Sequence, residues 1–115
     1  MTDGETGDLV ARFNVAWGAH DLDATLALCT ADGAFESTGP APDGERHEGQ
    51  DAVRAAWKPI FDDAGAHFTA EDAFAAGDRF VQRWRYDWDD GHVRGVDVFR
   101  VRDGKVAEKL SYVKG

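Results

Sequence analysis

An α+β fold follows from two patterns in the chain and the signals that separate them. Apolar residues recur at helical spacing through the first half and alternate with period two through the second. Asp-Gly pairs at Asp90-Gly91 and Asp103-Gly104 cut the alternating half into hairpin-sized pieces. Helices first and strands afterwards give an antiparallel meander with helices on one face. At 115 residues the chain is one domain, 1–115, with a modest core.

The first helix is expected from Asp8, as N-cap, to Gly18, with Leu9, Val10, Phe13, Ala16 and Trp17 on one face. Residues 1–7 read as a frayed start. Asp21 caps a second helix that carries Leu22, Leu26 and Cys29 inward. Gly33 breaks that pattern, and 34–37 reads as a short strand. Gly39 to Gly44 is a loop by its turn chemistry, and Arg46-His47-Glu48 is a short extended piece. Gln50-Asp51 opens a third helix with Val53, Ala56, Trp57, Ile60 and Phe61 inward, and Pro59 is expected to kink or shorten it. Strands follow at 67–75, 79–88, 92–102 and 105–113.

A two-residue turn at Asp90-Gly91 pairs Trp88 with Val93, Tyr86 with Gly95 and Trp84 with Asp97. One sheet face then carries Phe80, Gln82, Trp84, Tyr86, Trp88, Asp97 and Phe99. The other carries Val81, Arg83, Arg85, Val96, Val98 and Arg100. The aromatic face must meet the helices. Asp97 is therefore a carboxylate among rings, which is costly unless it is paired, hydrogen-bonded or neutral. Two readings stay open: a structural Asp97 paired with a cation, or a polar group at the floor of a pocket.

Composition excludes several classes of function. A formal net charge of −9 argues against nucleic acid and anionic membranes as partners. No apolar run is long enough to span a bilayer, the opening MTDGETGD is no signal peptide, and a cytoplasmic location is expected. The single Cys29 permits no internal disulfide and reads as a small buried residue. Four scattered His suggest no metal site. His47, between a loop and the third helix, is a candidate acid or base; His20 and His92 sit beside turns and are expected in solvent. No Gly-rich phosphate loop is present, Ser37 has no triad partner at a telling spacing, and no cofactor is expected.

Four segments carry a family resemblance: the Leu9–Trp17 helix, Asp21 to Phe35 with its Ala31-Asp32-Gly33-Ala34-Phe35, Glu48 to Val53, and Gly95 to Val106. In their order and spacing the chain resembles the superfamily that includes nuclear transport factor 2, ketosteroid isomerase and the SnoaL-like polyketide cyclases. The resemblance implies three N-terminal helices packed on a curved, mainly antiparallel sheet that forms a cone around an internal pocket. It also implies a homodimer through the outer sheet face.

Residue by residue, the resemblance puts Asp97 where ketosteroid isomerase keeps a protonated aspartate as a hydrogen-bond donor. The isomerase's base falls on Ser37, its oxyanion tyrosine on Phe13, and the two supporting tyrosines on Cys29 and Trp57. Most of the proton machinery is thus absent. The positions that serve limonene epoxide hydrolase fall on Trp84, Tyr86 and Ser111, which cannot do that chemistry either. The expected function is a pocket for a small, largely apolar, cyclic molecule, either an isomerase- or cyclase-like enzyme or a binder. Asp97 and His47 would act on the ligand, and Phe13, Trp17, Trp57, Trp84, Tyr86, Trp88, Phe99 and Tyr112 would wall it. The alternative is a dimeric interaction module of the same fold. For the last strand, an unbroken hairpin turns Leu110 and Tyr112 inward, whereas a bulge turns Lys109 and Ser111 inward.

Overall fold

The structure, a computed structural model, describes residues Met1–Gly115. The elements run α1 (Asp3–Gly18), α2 (Leu22–Ala27), β1 (Cys29–Glu36), β2 (Arg46–Glu48), α3 (Gln50–Asp62), β3 (His67–Ala76), β4 (Arg79–Trp88), β5 (Gly91–Arg102) and β6 (Lys105–Val113). The three helices pack on one six-stranded sheet of order β2-β1-β6-β5-β4-β3. Neighbouring strands are antiparallel except β1 and β6, which are parallel, so the sheet is mixed. It has two free edges, β2 and β3, and does not close.

α1 starts five residues before the expected Asp8. Its cap is Thr2, whose Oγ accepts from the Glu5 amide at 3.1 Å, while the Glu5 carboxylate accepts from the Thr2 amide at 2.9 Å. This reciprocal capping box satisfies two free amides. The extra turn is also clasped to the β3–β4 hairpin. The Thr6 hydroxyl donates to the Gly77 carbonyl, and the Gly77 amide donates to Asp3, both at 2.6 Å.

Asp21 caps α2 as expected, accepting from the Ala24 amide. Cys29 and Gly33 fall within β1, whose pairing with β6 is irregular between Cys29 and Ala34. α3 continues through Pro59 to Asp62, so the proline does not confine it to its first turns. The core is the row of rings that the helices press onto the sheet: Phe13, Trp17, Trp57, Phe61 and Phe99, with Leu9. Phe13 sits edge-on to Phe99 at 5.4 Å and to Trp57 at 5.9 Å between ring centroids.

The β4–β5 turn differs from the expected one. Trp88 pairs with Gly91, so the turn residues are Asp89-Asp90, and every pair is shifted by two. Because side chains alternate, a shift of two leaves both face assignments intact. It changes the partners: Gln82, not Trp84, is opposite Asp97, and Trp84 is opposite Gly95.

Candidate functional site

The last strand settles which side chains meet Asp97. The β5–β6 hairpin turns at Asp103-Gly104, both with positive φ, and pairs Val101 with Val106. One extra residue then enters β6, so that Arg100 is opposite Glu108 and Asp97 is opposite Ser111. The signature of this bulge is the consecutive burial of Val106 and Ala107. Beyond it, Lys109 and Ser111 point inward, and Leu110 and Tyr112 outward. Across the inner face the rows read Trp84–Gly95–Val113, Gln82–Asp97–Ser111 and Phe80–Phe99–Lys109.

Asp97 is 1 % exposed and stands among donors. Its Oδ1 accepts from the Trp84 indole N–H at 3.0 Å, the Ser111 hydroxyl at 2.8 Å and Lys109 Nζ at 3.4 Å. Its Oδ2 accepts from Gln82 Nε2 at 3.2 Å, and Gln82 exchanges two hydrogen bonds with Asn14 of α1. All four neighbouring groups, an indole N–H, a hydroxyl, an ammonium and an amide, are placed as donors to the carboxylate. Of the readings the sequence left open, the inward turn of Lys109 supplies the cation that a paired Asp97 calls for.

Lys109 is 6 % exposed. Its Nζ donates to Ser111 Oγ at 2.8 Å and lies 4.5 Å from the centre of the Trp17 ring and 5.1 Å from that of Phe35. Burial lowers its ammonium below the ordinary lysine range, against the opposing pull of Asp97. Ser111 thus accepts from Lys109 and donates to Asp97, which links cation to anion through one hydroxyl.

Above this polar floor lies a cavity of about 230 Å³. Its apolar walls are Trp17, Ile60, Phe68, Trp84, Tyr86 and Val93, with Phe35 beside Lys109, and Ser37 and Thr38 stand at its rim. Tyr86 is partly buried, and that burial pushes its phenol upward, which keeps the hydroxyl neutral. Gly95 makes the Trp84 wall possible. A Cβ there would run into the Trp84 ring and the Tyr112 carbonyl. A larger groove beside the cavity, at Glu36, Asp43 and Arg46, is mostly polar.

Of the residues singled out in the sequence, Trp17, Trp84, Tyr86 and Asp97 line the cavity together. Phe13, Trp57 and Phe99 do not; their rings fill the core beneath it. Trp88, 41 % exposed, lies against Gly91 of its own hairpin. Tyr112, 56 % exposed, is turned to the outer face by the bulge. His47 stacks on Phe35 and does not line the cavity. His20, expected in solvent, is half-buried with Nδ1 3.0 Å from the Phe61 carbonyl. Lys109, Ser111 and Gln82 are the site residues to which sequence reasoning gave no role or only a conditional one. Burial pushes the Cys29 thiol up to about 12, so it is no nucleophile. No group of three His, Cys, Asp or Glu is placed to hold a metal ion.

Residues 10–109 match the model of the SnoaL-like domain family. The chain belongs to that family. Among solved structures, an NTF2-like protein of unknown function from Mesorhizobium loti is 42 % identical to this SnoaL-like domain. The match covers 98 % of this chain and 93 % of that one, with a TM-score of 0.89. A proposed ketosteroid isomerase from Kribbella flavida is 16 % identical over 98 % of this chain and 80 % of its own, with a TM-score of 0.83. A computationally designed 17-OHP binder is 24 % identical over 96 % and 91 %, with a TM-score of 0.81. These last two share the fold of this SnoaL-like domain. No curated protein matches the chain.

Proposed function

We propose that this SnoaL-like domain is a pocket protein for a compact, largely apolar molecule whose one polar end meets Lys109 and Ser111. The observation that carries this is the built floor of the cavity: an ion pair held by Trp84, Gln82 and Ser111 beneath walls that are almost wholly aromatic and aliphatic. Few polar groups placed among many apolar ones is the usual composition of a ligand site. At about 230 Å³ the cavity is below the ~300–1,000 Å³ of drug-sized sites, which favours a one- or two-ring occupant. That a designed protein of the same fold binds 17-OHP supports a ligand-binding use of such a cavity.

Steroid isomerisation does not fit this reading. Where the resemblance calls for a general base stands Ser37, whose hydroxyl donates to the Gly39 carbonyl and accepts from the Glu45 amide within the loop. Phe13, in place of the tyrosine, is in the core.

Tryptophan reports on the cavity directly, since Trp17 and Trp84 both line it. One- and two-ring aldehydes, ketones and phenols are expected to quench or shift the emission and raise Tm, with the Trp84→Phe variant losing most of the optical signal. If such a panel leaves emission and Tm unchanged up to millimolar concentration, the reading is wrong.

The outer face favours a homodimer in the same reading. Phe74, Val81, Val98 and Leu110 pair in sequence across four strands and form one apolar row, with Phe74 63 % exposed. The arginines of that face have partners in their own chain: Arg83 with Asp72, Arg85 with Asp87, Arg100 with Glu108. The apolar row therefore carries this part of the proposal. A cytoplasmic setting completes it; no helix is long and apolar enough to cross a membrane.

A further inference from the structure

We propose that Lys109 is a covalent anchor: its Nζ condenses with the carbonyl carbon of an aldehyde or ketone in the cavity to give an iminium, while Ser111 and Asp97 carry the proton. This rests on the reading of the cavity as a small-molecule site and names the class of molecule it takes.

The chain has four lysines, and Lys58, Lys105 and Lys114 are exposed. Lys109 alone is buried, at the floor of the apolar cavity, between the Trp17 and Phe35 rings. Stability is a weak reason for it, because replacing a buried ion pair by apolar residues of similar volume is often neutral or stabilising. An amine becomes a nucleophile when it can shed a proton, and two features here favour that. Burial already disfavours the ammonium. A receiving path is also in place, 2.8 Å from Nζ to Ser111 Oγ and 2.8 Å onward to Asp97 Oδ1. Competing nucleophiles are disabled: the Cys29 thiol is buried and held protonated, and the Ser37 hydroxyl is engaged in its loop.

The step balances. The ammonium passes one proton through Ser111 to Asp97, and the freed lone pair attacks the carbonyl carbon as the C=O π bond opens onto oxygen. A second proton moves from nitrogen to that oxygen, giving a neutral carbinolamine. Asp97 returns its proton to the hydroxyl, the C–O bond breaks, water leaves, and the nitrogen lone pair forms the C=N bond. The site holds one positive charge before and after, and the Asp97 carboxylate, fixed by Trp84 and Gln82, again faces it. Nothing is oxidised or reduced.

The test is reductive trapping with 4-isopropylbenzaldehyde and cyanoborohydride at neutral pH, followed by peptide mapping of the intact chain. Alongside it, tryptophan emission is titrated with 4-isopropylbenzyl alcohol, which fits the same space and forms no imine. The expected result is an adduct on Lys109 at least tenfold faster than on Lys58, Lys105 or Lys114, and its loss in Lys109→Arg. The mapping of wild-type protein stands by itself if that variant does not fold. Quenching by the alcohol with Lys109 unlabelled, or labelled no faster than the exposed lysines, overturns the imine and leaves the pocket reading intact. Neither quenching nor a Lys109 adduct overturns both.

Discussion

Replacing Asp97 with Asn removes the charge that Lys109 faces and leaves the lysine inside an apolar wall. The substitution is nearly isosteric, so the penalty is electrostatic. Breaking a buried pair by removing one partner typically costs about 3–5 kcal/mol. For the stranded charge alone an upper bound can be worked out, because the lysine escapes by losing its proton. From an unfolded-state value near 10.4, neutralising it at pH 7 costs about 4.6 kcal/mol, at about 1.36 kcal/mol per pH unit. An amide at position 97 adds a mismatch, since its NH₂ would face the donors that now surround the carboxylate. A loss of about 3–5 kcal/mol corresponds to a fall in Tm of roughly 12–20 °C for a chain of this length.

The pH dependence has a definite sign. In Asp97→Asn the folded state disfavours the lysine's proton, so between its lowered folded value and about 10.4 the unfolded chain binds more protons. Stability therefore rises with pH across that window. The deficit relative to the wild type should shrink toward alkaline pH, and Asp97→Asn/Lys109→Met should recover most of it at pH 7. The assay is urea denaturation of the wild type, both single variants and the double variant from pH 6 to 10. An Asp97→Asn protein that is neutral or more stable at pH 7 would refute the ion-pair argument and restore a neutral aspartic acid.

Two further outcomes are expected. Gly95→Ala drives a methyl group into the Tyr112 carbonyl, which is backbone, and into a Trp84 ring held by its bond to Asp97; we expect a loss of about 3 kcal/mol or more on the overpacking scale, and a denaturation midpoint implying less than 1 kcal/mol would show that β6 yields freely. Val98→Glu places a charge in the middle of the outer apolar row; light scattering should show a dimer for the wild type and a monomer for the variant at micromolar concentration, with Tm of the isolated fold little changed, whereas a monomeric wild type would sink the dimer.

Much of this architecture was legible because it rests on periodicity. The four C-terminal strands lie within a residue of their expected bounds, since alternation is a local signal and Asp103-Gly104 turns as expected, although the Asp90-Gly91 pair marks its turn one residue late. Asp97 stood out for the same reason, as the one charge on an aromatic face. What escaped was set by tertiary geometry. Trp88 belongs to the aromatic face by parity, yet it is 41 % exposed and rests on Gly91 of its own hairpin. Phe13, Trp57 and Phe99 are as apolar as Trp17 and Trp84, and only packing decides which rings fill the core and which border a void. The early start of α1 was readable in Thr2 and Glu5, whose spacing is that of a capping box. The register of β6 was open because a bulge leaves no fixed mark; two consecutive apolar residues, Val106 and Ala107, are its only trace in sequence.

That bulge ties two surfaces to a single residue count. β6 supplies Lys109 and Ser111 to the cavity floor, and Leu110 and Tyr112 to the outside of the sheet. Without the inserted residue, every side chain beyond it would change sides at once. Ammonium and hydroxyl would go out to solvent, and leucine and tyrosine would fill the space above Asp97. Interior chemistry and exterior stickiness therefore share one frame in this strand, as codons share a reading frame. Point substitutions can tune either surface separately, but a change in the length of β6 ahead of Lys109 must rewrite both.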